Sequence, residues 1–120
     1  MSETACMIEA GGKQICVYPS EAIIKILGKQ YTLLIIGLLG NNGKSGFNEI
    51  ARSVGNPRPN LLSHRLRELE EAGLVSKTVT VEKGLRVDYY LTKKGNELRK
   101  LLIPIFEWLE AVQKKGSAGA

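Results

Sequence analysis

The stretch RPNLLSHRLRELEEAG, residues 58–73, decides the fold. Pro59 suits the first position of a helix, because its missing N–H would have had no partner there. The helix then runs to about Ala72 and stops at Gly73. At about 100° per residue, Leu62, Leu66 and Leu69 fall within a wedge of about 60°, while Asn60, His64, Arg67 and Glu71 gather on the opposite side. One side belongs to a core and the other to solvent. Asn60, Ser63, His64 and Arg67 are residue types that address base edges, Asn pairing with adenine and Arg with guanine. The plain alternative is the wet side of an amphipathic helix.

Both flanks add to this reading. Upstream, Phe47, Ile50, Ala51 and Val54 stand at i, i+3, i+4 and i+7, which makes a two-turn amphipathic helix. Gly55-Asn56-Pro57-Arg58-Pro59 is a compact turn, so the two helices form a helix-turn-helix. Downstream, Val75, Val79 and Val81 alternate with polar residues, as do Val87, Tyr89 and Leu91, with Glu82-Lys83-Gly84 as the turn between them. A helix-turn-helix followed at once by a hairpin tipped with Lys83, with Arg86 close behind, is the order of a winged helix. In that arrangement the wing lies along the phosphate backbone while the helix enters the major groove.

Farther out, Ser20 is a plausible N-cap for a helix whose apolar side is Ala22, Ile23, Ile26 and Leu27, closed by Gly28. A final helix begins at Thr92. It carries a wide stripe of Leu98, Leu101, Leu102, Ile105, Phe106, Leu109 and Val112, with Trp108 beside it and Pro104 as a kink. A core of this size hardly needs so long a stripe, so part of it, and of the first helix, is expected to bury against a second copy. The predicted fold class is mainly α with a small β-hairpin (α+β).

Residues 37–46, GLLGNNGKSG, raise a rival reading. A phosphate loop needs G-x-x-x-x-G-K-[ST], so that backbone N–H groups curl around the phosphates. Gly43-Lys44-Ser45 is right, but position 38 is Leu and Gly37 lies one residue too far back. The preceding run from Tyr31 to Leu39 lacks alternation and fits a buried strand or a buried helix.

The chain has 120 residues, enough for one domain. Lys and Arg outnumber Asp and Glu by 17 to 12, and residues 46–100 hold eleven of the basic groups against seven acidic ones, so a polyanion would be met in the middle of the chain. No apolar run approaches the roughly 20 residues that cross a bilayer, and no export signal opens the chain, so it is read as cytoplasmic. Cys6 and Cys16 are separated by nine residues, without a C-x-x-C and with a single distant His, His64. Structural metal is therefore not expected; the thiols are either plain cytosolic cysteines or redox-responsive ones.

These motifs resemble those of the HxlR-type winged-helix regulators, relatives in shape of the MarR group, over roughly residues 18–110. ILGKQYTLLIIGLL resembles the family's G-G-K-W-T-L-L-I-L helix, with Tyr31 at the Trp position. FNEIARSV resembles its F-N-E-L stretch, LLSHRLRELEEAGLV its L-S-x-R-L-R-E-L-E-x-x-G-L-V, and RVDYYLTKKGNEL its R-V-E-Y-x-L-T-x-x-G. The resemblance implies a dimeric DNA-binding regulator without catalytic activity, and in several members a response to oxidants through an N-terminal Cys. It also implies that residues 33–39 are helical, with Gly40 and Gly43 as helix stop and turn, which removes the phosphate-loop reading. The family's sensing Cys precedes a Pro; here Tyr18 precedes Pro19, and Cys16 lies two residues upstream. Arg58 stands where the family often has a capping Ser, and Lys83-Gly84-Leu85 replaces the usual Pro-rich wing tip.

The expectation is thus a homodimeric, sequence-specific transcriptional regulator of double-stranded DNA carrying a pseudo-palindromic operator, with no cofactor, no metal and no membrane partner. A flexible arm is expected over residues 1–17, the winged helix over 18–115 and a disordered tail over 116–120. Asn60, Ser63, His64 and Arg67 would read bases; Arg58, Arg65, Lys83 and Arg86 would contact phosphate or form the wing. Arg65, at the flank of the leucine wedge, is equally placed to be an ion-pair partner inside the protein. Cys16 and Cys6 are the candidate redox residues. The alternative function is a winged-helix protein-interaction module that binds no DNA, supported by the acidic patch Glu68, Glu70 and Glu71.

Overall fold

A computed structural model describes residues 7–18 and 21–119, from 115 onward as backbone. The first element departs from the expected loose arm. Residues β1 (Met7–Ala10) and β2 (Lys13–Cys16) pair antiparallel, Met7 opposite Cys16 and Ile8 opposite Ile15. Gly11 and Gly12 make the reversal possible, since both have positive φ (56° and 79°), the geometry of a tight hairpin turn. Helix α1 (Ala22–Leu27) follows. Its cap is Glu21, whose carboxylate accepts from the Ile23 and Ile24 backbone N–H groups, while Ser20 lies outside the described residues.

The run that periodicity left open is helical, as the resemblance implied: α2 spans Thr32–Asn42. It ends at Gly43, at φ 76°, but Gly40 stays inside the helix and is not its stop. A Cβ at Gly40 would collide with the Arg99 side chain, and one at Gly37 would come within 2.9 Å of the Phe106 ring. These two glycines let side chains of the last helix cross α2 at close range. No phosphate loop is formed.

A short strand, β3 (Ser45–Gly46), leads into α3 (Phe47–Ser53), and a turn brings the chain to α4 (Pro59–Glu71), with Pro59 at the first position. Strands β4 (Val75–Thr80) and β5 (Arg86–Leu91) form the wing, and β3 pairs with the far side of β5, giving the order β3-β5-β4. Helix α5 runs over Lys93–Gly119 and takes in residues 116–119 of the region expected as a tail.

The core gathers Ile35, Ile36 and Leu39 of α2, Ile50 of α3, Leu62, Leu66 and Leu69 of α4, then Leu74, Leu91 and Leu102. The three α4 leucines are at most 1% exposed, as their wedge predicts, and each stabilises the fold by about 2–5 kcal/mol relative to Ala. The α5 stripe is only partly used: Leu102 is buried, Leu98 and Phe106 pack against the core, and Leu101, Ile105, Trp108, Leu109 and Val112 are exposed.

The end of α4 and the start of α5 are fastened together. The Leu74 N–H donates to the Leu69 carbonyl and the Gly73 N–H to that of Glu70, closing α4 with Gly73 at φ 78°. Thr92 caps α5 by accepting from the Gly95 N–H at 3.1 Å, and its own hydroxyl donates to the Gly73 carbonyl at 2.6 Å. Gly95 sits so close to the Leu74 carbonyl that a Cβ would overlap the oxygen. Gly95→Ala raises helix propensity by up to about 1 kcal/mol, yet the backbone clash is expected to win, giving a lower Tm in thermal unfolding followed by circular dichroism.

Candidate nucleic-acid interface

Helix α4 is pinned on one side by its leucines, and this fixes what the other side offers. Asn60, Ser63, His64 and Arg67 are all exposed, in the pattern that the helical wheel dictates. Arg58 is the N-cap residue, exposed and without a side-chain cap bond. Lys83 is exposed at the wing tip, where Gly84 takes φ 94° to turn the chain. These side chains are free to approach an external polyanion.

Two of the expected contacts are otherwise engaged. Arg65 is only 7% exposed, and of the two roles its position allowed it takes the internal one. Its Nε donates to the Gln30 carbonyl at 2.8 Å and its Nη1 to Glu68 Oε1 at 2.5 Å. A buried guanidinium cannot also reach phosphate, so Arg65 leaves the contact set. Arg86 remains accessible, but its Nε lies 3.1 Å from both Asp88 oxygens and its Nη2 lies 3.4 Å from Glu49. The hydrogen bond and charge of Asp88 hold its pKa above the ordinary value, with a smaller contribution from Glu49.

Glu68 is the hub of the polar network on α4. It takes a hydrogen bond from Lys29 as well as from Arg65, and its Oε1 lies 3.6 Å from His64 Nε2. The carboxylate therefore ties α4 to the α1–α2 turn through both Lys29 and the Arg65–Gln30 bond. Sequence spacing shows the local half of this arrangement, since Arg65 and His64 stand at i−3 and i−4 from Glu68. Lys29 and Gln30 were missed because nothing local marks partners so distant along the chain. Of the supposed acidic patch, Glu70 also faces a cation, Lys77, at 3.9 Å. Cys16 is an exposed thiol at the end of β2, and Cys6 lies outside the described residues.

With this geometry in place, the match of residues 26–117 to the model of the HxlR-like helix-turn-helix is decisive. The chain belongs to the HxlR family. It is 39% identical over 88 residues to the uncharacterized HTH-type transcriptional regulator YvaP of Bacillus subtilis, covering 73% of this chain and 81% of that relative. The HTH-type transcriptional regulator YodB of Bacillus subtilis is 31% identical over 96 residues, 80% of this chain and 85% of YodB. The crystal structure of a possible HxlR family transcriptional factor from Thermoplasma volcanium superposes with a TM-score of 0.81 at 34% identity, covering 90% of this chain and 96% of that one. As an HxlR protein the chain is a DNA-binding transcriptional regulator with the winged-helix fold of its relatives. Among the described residues, no helix is long and apolar enough to cross a membrane.

Burial alone pushes the Glu68 carboxyl pKa up, but hydrogen bonds and positive charge from Lys29 and Arg65 outweigh it and hold the group below the ordinary glutamate value. A carboxyl lowered in the folded state stabilises the protein above its unfolded pKa and gives up that contribution as pH falls through the folded value. Glu68→Gln is expected to cost about 1–2 kcal/mol near neutral pH. Urea unfolding of both proteins should show the difference shrinking once the solution is acidified below the folded-state pKa of Glu68.

Proposed function

We propose that this HxlR protein acts as a homodimer on a pseudo-palindromic operator, each copy laying α4 in a major groove with its wing against the backbone. The observation that carries the reading is the exposed row Asn60, Ser63, His64 and Arg67 on a helix whose opposite side is held by three buried leucines and by Arg65. Asn and Arg supply the bidentate geometry that distinguishes base pairs, and Arg58 and Lys83 supply charge for phosphate. Pairing of the copies is supported by the exposed apolar side of α5, where Trp108 is 63% and Leu101 71% exposed. A bare stripe of this kind is what a second copy covers.

The rival reading, an interaction module without DNA, leaned on an acidic patch. Two of its three members face cations, Glu68 with Lys29 and Arg65 and Glu70 with Lys77, so little uncompensated negative charge remains to repel phosphate.

Titration of selected operator fragments across salt tests the proposal. Arg67→Ala is expected to lose about 1–3 kcal/mol of discrimination at one base position, whereas Lys83→Ala weakens all sequences alike and lowers the salt slope by about one. Trp108→Glu should convert the dimer to monomers in sedimentation and weaken binding to the full operator. Salt-independent binding, or equal affinity for all sequences, would overturn it.

A second reading concerns the thiol. Cys16 is exposed at the end of β2, and YodB has been described crystallographically both reduced and after diamide treatment. We propose that oxidation at Cys16 changes operator affinity. Cys16→Ser is expected to abolish the change in affinity that mild oxidant causes in the wild type; an undiminished response would exclude Cys16.

A further inference from the structure

Between α2 and α5 lies a cleft of about 190 Å³, lined by Leu34, Gly37, Leu38, Ile103 and Phe106, with Arg99 as its charged member. It opens to solvent where Leu34 is 47% and Ile103 37% exposed. An apolar cavity of about 150 Å³ is enough to hold benzene, so this one accommodates a single ring or a compact branched chain. The reading surface on α4 and the wing does not include it.

The guanidinium makes the cleft selective. Arg99 Nε donates to the Gly37 carbonyl at 2.9 Å and Nη2 to Asn41 Oδ1 at 2.7 Å. Both acceptors are neutral, and no carboxylate pairs with Arg99 among the described residues. The two bonds fix the plane of the fork while leaving donors unused. A held guanidinium with an uncompensated charge beside an apolar wall fits a ligand with a carboxylate at one end and a hydrocarbon body at the other.

The glycines of α2 point the same way. Each costs up to about 1 kcal/mol of helix propensity relative to Ala. Gly40 leaves the space in which Arg99 lies across α2, and Gly37 the space for the Phe106 ring. The helix carries that cost where it builds the charged end and the aromatic wall of the cleft.

We propose that this cleft binds a small organic anion, a monocarboxylate with a compact apolar body, between the helix leading into the helix-turn-helix and the helix that follows the wing. The carboxylate meets the Arg99 fork, and the body lies among Leu34, Leu38, Ile103 and Phe106. This goes beyond the DNA reading and does not depend on it, because binding is measured without DNA.

Benzoate is the probe, titrated into the full chain and followed by calorimetry and by the methyl resonances of Leu34, Leu38 and Ile103, with benzyl alcohol as the neutral match. The expected result is saturable benzoate binding that shifts those methyls, with benzyl alcohol weaker. Arg99→Met should lose affinity about tenfold or more, and Arg99→Lys should recover part of it. Absence of saturable binding at millimolar benzoate, equal binding of benzyl alcohol by the wild type, or methyl shifts located elsewhere would each overturn the proposal. The comparison of two ligands on one unmodified protein keeps the test valid if Arg99→Met fails to fold.

Discussion

The structure depends on the burial of one side of α4. Leu62, Leu66 and Leu69 are withdrawn from water, and Arg65 follows them inward. Burying a guanidinium is costly unless its donors are met; here the Gln30 carbonyl and Glu68 meet them, and Lys29 adds a second cation to Glu68. Apolar burial fixes the depth of the helix, and this polar network fixes its rotation against the α1–α2 turn. Any displacement of α4 must break both. The side chains presented outward, Asn60, Ser63, His64 and Arg67, are therefore displayed from a fixed support.

Electrostatics along α4 divide its two ends. The first turn contains no acidic residue, whereas Glu68, Glu70 and Glu71 lie toward the C-terminal end. Lys29, Arg65 and Lys77 compensate the first two from neighbouring positions. The helix can then present its amide, hydroxyl and cationic groups to a polyanion without strong repulsion from its own acids.

The parts legible in the sequence are those governed by local period. The α4 wedge, the alternation of the wing strands, Pro59 at a helix start and Thr92 at a cap are all decided within a few residues of themselves. Residues 31–39 were ambiguous because a segment buried on most sides shows no polar stripe; resemblance, not periodicity, identified it as helical. The β1–β2 ribbon went unread because its strands are four residues each, too short for alternation to stand out, although Gly11-Gly12 was a fair turn signal. Gly40 was misread as a stop, since its purpose depends on Arg99, far along the chain. Arg65 sat on the border of the wedge, and only its distant partner, the Gln30 carbonyl, shows which way it turns.

The junction of Gly73, Leu74, Thr92 and Gly95 has a further consequence. The chain leaves α4 and re-enters at α5 through the same small knot of hydrogen bonds, Gly73 to Thr92 and Leu74 to Thr92. Everything between is an excursion from a closed base. A change of length or composition at the hairpin tip lies outside these bonds, which by themselves tie the end of α4 to the start of α5.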